Sequence, residues 1–206
     1  AAAAAGAARY VAQSGCYYYR PGPGLAAEDE PWATDAPPLV AGGVDALTEL
    51  ERRVLAEPGG MRGVALRYGF FYGPTTWWAR DGDVAAQVRG GGFRIVDPGT
   101  GVWSFVHIDD AVAATVAAVT SDSHGAFNIN DDDPLPIDVW LPAYAKWVDA
   151  PPPPRVPAGP GIDADAHFYA NRLRGADNSR ARRELGFSPR RLEWLDAAEP
   201  GTADRP

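Results

Sequence analysis

Apolar residues come in short runs, each closed by glycine or polar residues. Arg9-Tyr10-Val11-Ala12-Gln13-Ser14, Gly63-Val64-Ala65-Leu66-Arg67-Tyr68 and Gly125-Ala126-Phe127-Asn128-Ile129-Asn130 read as core-type strands. A fourth run, from Trp103 to Ile108, leads into Asp109-Asp110 and an Ala/Val-rich stretch through about Val119. That is a strand entering a helix, with the two acids placed where free amide N–H groups want an acceptor. Between the runs the period changes to helical. Leu47, Leu50, Val54 and Leu55 predict a helix over Asp45 to Ala56, closed by Pro58-Gly59-Gly60. Further helices are expected over Asp83 to Arg89, Asp138 to Val148 and Ser179 to Leu185, the last stopped by Gly186 and Pro189. Phe93 to Val96 is strand-like and Asp97-Pro98-Gly99 turns.

The remaining segments read as connections. Pro21 to Pro38 is a loop, Pro151 to Gly161 an extended connector, and the tail from Pro200 frays. Ala1 to Ala8 reads as the end of an alanine-rich helix and has no signal-peptide character. Strands alternating with helices predict an α/β fold with a parallel sheet.

Composition narrows the class. A chain of 206 residues with 46% hydrophobic content can bury one real core and a small lobe. A net charge of −8 argues against nucleic acid and anionic membranes as partners. No apolar run approaches a bilayer span. Cys16 is the one cysteine, so no internal disulfide forms, and the expected setting is cytoplasmic. Lys146 is the one lysine, so any lysine-dependent chemistry must use it. No metal site is expected: Asp131-Asp132-Asp133 reads as a solvated turn, since consecutive acids do not face one point. Gly90-Gly91-Gly92 lacks the pattern of a phosphate loop, and the Gly-x-Ser-x-Gly elbow of hydrolases is absent.

Five stretches carry a more specific signal: Gln13-Ser14-Gly15-Cys16-Tyr17-Tyr18-Tyr19, Arg67-Tyr68-Gly69-Phe70-Phe71-Tyr72-Gly73-Pro74, Trp103 to Ala111, Phe127-Asn128-Ile129, and Leu185-Gly186-Phe187-Ser188-Pro189. In this order they resemble the extended short-chain dehydrogenase/reductases, the NAD-dependent epimerase/dehydratase family, from about Ala1 to Arg190. The resemblance covers the back two-thirds of that family.

The resemblance implies a partial Rossmann-like, doubly wound parallel sheet whose front strands are absent, with a small C-terminal substrate lobe. Residues 1–130 would be the remnant of the NAD(P)-binding domain, interleaved with lobe segments at about 75–105. Residues 131–206 would complete the lobe and tail. The implied activity is NAD(P)-dependent epimerase, dehydratase or reductase chemistry at a hydroxyl or carbonyl carbon. The alternative is a non-catalytic member that binds a ligand or a protein. Ser14 matches the family's hydroxyl donor, Tyr18 its following tyrosine and Tyr19 the glycine after it. Tyr72, Gly73 and Pro74 would border the nicotinamide. Phe70, Trp77, Trp78 and Trp103 would line the substrate, with Phe70 replacing the family asparagine and Trp103 its diphosphate-binding arginine. An aromatic or apolar small molecule is therefore expected over a nucleotide sugar, and His107 is expected to serve packing.

Two departures bear on chemistry. The family's Tyr-x-x-x-Lys pair is absent, its positions falling near Gly43 and Leu47. The glycine-rich turn that holds the dinucleotide, NAD or NADP, does not lie ahead of Ser14. An open edge at the first strand is the expected result, implying a missing front half or a homodimer.

Overall fold

The computed structural model describes residues 2–56 and 58–196, so the predicted fraying from Pro200 lies outside the described residues. Its centre is a parallel sheet of β1 (Arg9–Gly15), β2 (Arg62–Tyr68) and β7 (Gly125–Ile129), in the order β1-β2-β7. Three further parallel or antiparallel pairs are small: β3 (Phe70–Tyr72) with β6 (Phe105–His107), β4 (Ile95–Val96) with β9 (Arg155–Val156), and β5 (Val102–Trp103) with β8 (Leu135–Pro136). The helices are α1 (Pro38–Leu55), α2 (Asp83–Arg89), α3 (Ile108–Thr120), α4 (Ile137–Trp147), α5 (Ala164–Asn171), α6 (Ser179–Leu185) and α7 (Glu193–Asp196). The alternation is that of a partial Rossmann-like α/β fold. Among the described residues β1 carries no partner strand on its outer edge.

The two faces of β2 show why helices cover both sides. Val64, Leu66 and Tyr68 point into an aliphatic core with Ala111, Ala114 and Ala118 of α3 and Ala181 and Leu185 of α6. Arg67, on the opposite face, meets Glu51 of α1. Gly63 lets α1 approach that face, because a Cβ there would run into the Val54 carbonyl. A second core is aromatic: Trp78, Trp103, Phe105, Trp140, Tyr144, Phe168 and Trp194 pack beyond the C-terminal ends of the strands.

Four expectations change. Helix α1 begins at Pro38, seven residues before the predicted start. Proline is tolerated in a first turn, where its missing N–H has no intrahelical partner. The Asp165 carboxylate of α5 then accepts from the amides of Leu39 and Val40, at 3.3 and 3.0 Å. The N-cap of α3 is His107, whose Nδ1 accepts from Asp109 N at 3.1 Å, and Asp110 instead accepts from Arg190. Asp131 is buried rather than solvated: it accepts from the amides of Phe105 and Asp133, and burial pushes its carboxyl up to about 8. The opening alanines form only a short 3₁₀ turn, Ala3–Ala5.

Candidate active site

Strands β1 and β2 end side by side, and the chain leaves each through aromatic residues. In an open parallel sheet this is where ligands bind. A cavity of about 480 Å³ lies there, lined by Tyr17, Tyr18, Phe70, Trp77, Trp78 and Tyr169 among others. Its size suits a small organic molecule. Tyr17 stacks on Phe70 with ring centroids 4.8 Å apart, and Trp77 stands 75% exposed at the rim. Thr75 holds φ at +66°, a left-handed backbone that a β-branched residue adopts only under strain, and it too lines the cavity.

Tyr18 is placed by an unusual neighbour. Its ring lies against Gly43 of α1, where any Cβ would collide with it. Glycine inside a helix costs about 1 kcal/mol relative to alanine. The Tyr18 ring fills the space that this glycine leaves. The Tyr18 hydroxyl shares a 2.6 Å hydrogen bond with the hydroxyl of Tyr169 on α5. Burial raises the Tyr169 phenol well above its ordinary range, and raises Tyr17 to about 12. Both phenols are neutral at physiological pH.

Ser14 is not part of the cavity lining. It is buried at the end of β1 and donates to Glu51 Oε1 at 2.6 Å. Glu51 in turn forms a two-pronged pair with Arg67, at 2.8 and 2.6 Å. Arg67 also donates to the Tyr19 hydroxyl, which donates to Asn128 Oδ1, and its guanidinium lies 4.3 Å above the Trp32 ring. Ser14 thus belongs to a buried polar network that joins β1, β2, β7 and α1.

The remaining sequence candidates divide. Phe70, Trp77 and Trp78 line the cavity. Trp103 stacks on Phe70 at 4.5 Å, donates from Nε1 to the Tyr169 carbonyl, and lines a neighbouring cavity of about 370 Å³. Tyr72 is buried with its edge against His107 and Trp194. Gly73 sits at φ +99°, and a Cβ there would come within 2.5 Å of His107 Nε2. Exposed Pro74 then leads into the Thr75–Trp78 wall. Sequence reasoning missed Tyr17 and Tyr169. Tyr17 adjoins Tyr18 and was open to inference, whereas no spacing links Tyr169 to the site.

The lining offers flat aromatic faces and phenols, which fit the nicotinamide end of a dinucleotide together with a planar substrate. No glycine-rich pyrophosphate turn lies among the described residues. No group of His, Cys, Asp and Glu able to hold a metal occurs among them, and no helix of theirs is long and apolar enough to cross a membrane.

No protein-family model matches the chain. It is 45% identical over 201 residues to a 3-diazoavenalumate denitrifying reductase from Streptomyces sp., which takes in 95% of this chain and 66% of that protein. Among solved structures it resembles MoeE5 in complex with UDP-glucuronic acid and NAD, with a TM-score of 0.67 and 22% identity, over 96% of this chain and 68% of the other. A UDP-glucose 4-epimerase from Thermotoga maritima gives 0.67 at 20% identity, over 94% and 62%. A dTDP-glucose 4,6-dehydratase from Streptomyces venezuelae with NAD bound gives 0.65 at 20%, over 95% and 59%. The chain therefore spans about two thirds or less of the length of the proteins it matches.

Proposed function

Because the chain belongs to the extended short-chain dehydrogenase/reductase family as a partial member, we propose that it acts in an NAD(P)-dependent reduction of an aromatic small molecule. The molecule binds in the cavity bounded by Tyr17, Tyr18, Phe70, Trp77, Trp78 and Tyr169. The observation that carries this reading is the aromatic lining itself, which offers stacking faces and no carboxylate, lysine or arginine.

The reaction in this reading is reductive loss of dinitrogen from an arenediazonium, a reading supported by the 45% identical relative's being named a denitrifying reductase of a diazo compound. Carbonyl reduction needs a proton at the developing alkoxide, and the family groups for that task are not available here. Position 43 is glycine, position 47 is leucine, and the Ser14 hydroxyl is engaged by Glu51. Displacing dinitrogen needs no proton. A C–H bond forms with the electron pair of the hydride, the C–N bond breaks, and its pair leaves with N₂. NAD(P)H, were it bound at the ends of β1 and β2, would supply that hydride and leave as NAD(P)+. The chain orients the ring between aromatic faces, whose quadrupoles attract a cationic diazonium. High phenol pKa values keep Tyr17 and Tyr169 neutral, and a neutral phenol is a poor coupling partner for that electrophile. Tyr18 contacts the substrate edge, Ser14 positions the end of β1 through Glu51, and the Tyr72-Gly73-Pro74 turn, buried at Tyr72, carries the chain into the Thr75–Trp78 wall beside which a nicotinamide would lie.

The test is single turnover with an aromatic diazonium acid and NADH or NADPH deuterated at the transferred position. Deuterium at the ring carbon that carried nitrogen, with N₂ evolved, is the expected result. Cofactor oxidation that leaves nitrogen on the product, or no oxidation with either cofactor, overturns the reading. The second reading is a binding member without turnover, which the engaged Ser14 favours. It predicts saturable quenching of tryptophan fluorescence by the aromatic acid with no cofactor consumed.

A further inference from the structure

A larger cavity, of about 610 Å³, shares no lining residue with the aromatic one. It opens between the Arg20–Pro37 loop and α5, and its polar wall carries Arg20, Arg172 and His167. The arginines of this chain are mostly paired: Arg52, Arg62, Arg67, Arg80, Arg155, Arg174, Arg180, Arg182 and Arg190 all hold carboxylates. The side chains of Arg20 and Arg172 hold none among the described residues, although Asp35 lines the same cavity. Nearby Asp163 and Asp165 are taken up by capping α5 and α1. Two guanidinium groups without an ion pair among the described residues outnumber the one carboxylate, Asp35, in this concavity, and in a protein of net charge −8 they mark a place where a negative charge is wanted. Ala33, Ile162 and buried Phe168 supply an apolar wall beside them.

We propose that this cavity binds an organic carboxylate: an acid whose carboxyl group bridges Arg20 and Arg172 and whose apolar body lies on Phe168. Guanidinium groups match a carboxylate through paired N–H donors. A free phosphate would satisfy the arginines but leave the apolar wall wet, so the wall selects for an organic acid. This site is independent of the reduction proposed above, since it rests on different residues and its test involves no cofactor.

The experiment is calorimetric titration of the chain with sodium cinnamate, and separately with inorganic phosphate. Saturable cinnamate binding that weakens as salt is raised is expected. Arg20→Gln and Arg172→Gln should each weaken it by about tenfold or more, the size of a lost charge-assisted hydrogen bond. Both side chains are exposed, so both variants should melt like the parent. Arg183→Gln, an exposed arginine on α6 with no ion pair among the described residues, controls for net charge and should leave binding unchanged. Three results overturn the proposal: no binding by the parent, binding kept at full strength in both arginine variants, or phosphate binding as tightly as cinnamate.

Discussion

The two cores are built on different rules. Beneath β2 and β7 the core is mainly aliphatic: Val64, Leu66 and Ile129, with Phe127 among them, against the alanines of α3. Its strands are long enough to show their pattern, and their register is fixed by a continuous parallel ladder. Beyond the strand ends the core is aromatic, held by ring contacts between short strands, the turn at Trp78 and the helices α4, α5 and α7. Trp78 touches Trp103, Phe105, Trp140 and Tyr144 at 5.2 to 5.9 Å, mostly edge to face. The first core is a scaffold that regular backbone specifies. In the second, side-chain shape does the specifying, and the two cavities that flank Trp78 and Trp103 lie where large flat rings leave gaps that aliphatic packing would close.

The contrast breaks first at Trp140, which is fully buried. Trp140→Ala should cost about 3–5 kcal/mol and Leu66→Ala about 2–5 kcal/mol, measured by denaturant melts. Only the tryptophan variant should also erase near-ultraviolet dichroism from the ring cluster. Trp140→Phe should cost clearly less than the lost volume suggests, because the indole Nε1 has no acceptor among the described residues.

Acidity separates the cores next. Asp131 lies at their junction, with its carboxyl raised to about 8 by burial. Its pKa is about 4 in the unfolded chain, so between the two values the folded state binds the extra proton. Its contribution is full below about pH 4 and is lost as pH rises toward 8, by up to about 1.4 kcal/mol per pH unit. Asp131→Asn should flatten that slope in melts recorded across the range.

Smaller effects sharpen the boundary. Gly43→Ala should cost about 1–3 kcal/mol, the usual penalty for overpacking. In a Tyr18→Ala background the same change should stabilise by about 0.5–1 kcal/mol, the helix preference of alanine over glycine. A Gly43→Ala penalty that survives removal of Tyr18 would show that the ring is not what position 43 accommodates. Smallest is Val116→Ala on the exposed face of α3, expected within about 0.5 kcal/mol of the parent.

Legibility in the sequence follows the same division. The three strands of the sheet, helices α2, α4 and α6, and the strand leading into α3 were readable because each spans enough residues for its period to show. The first two turns of α1 were not, since Pro38 and Gly42-Gly43 are loop residues by local preference. The structure supports them from a distance, through Asp165 and Tyr18. The Phe93–Val96 run signalled β4, whereas its partner β9 and the pair β5–β8, two residues each, are too short to have a period. Asp131 looked solvated because its burial is set by neighbours far along the chain. Of the site, the resemblance brought in Phe70, Trp77 and Trp78, and geometry added Tyr17 and Tyr169. Trp103, also brought in by the resemblance, stacks behind Phe70 and lines the neighbouring cavity.

Helix α5 sits at the meeting of these features. Asp165 holds the first amides of α1, Tyr169 closes the aromatic cavity, and His167 and Phe168 wall the second one. These contacts have a kinetic signature. If α5 swings away to admit a ligand, the amides of Leu39 and Val40 lose their acceptor in the same event. Their hydrogen exchange with solvent would then clock the opening of the cavity from a site that touches no ligand.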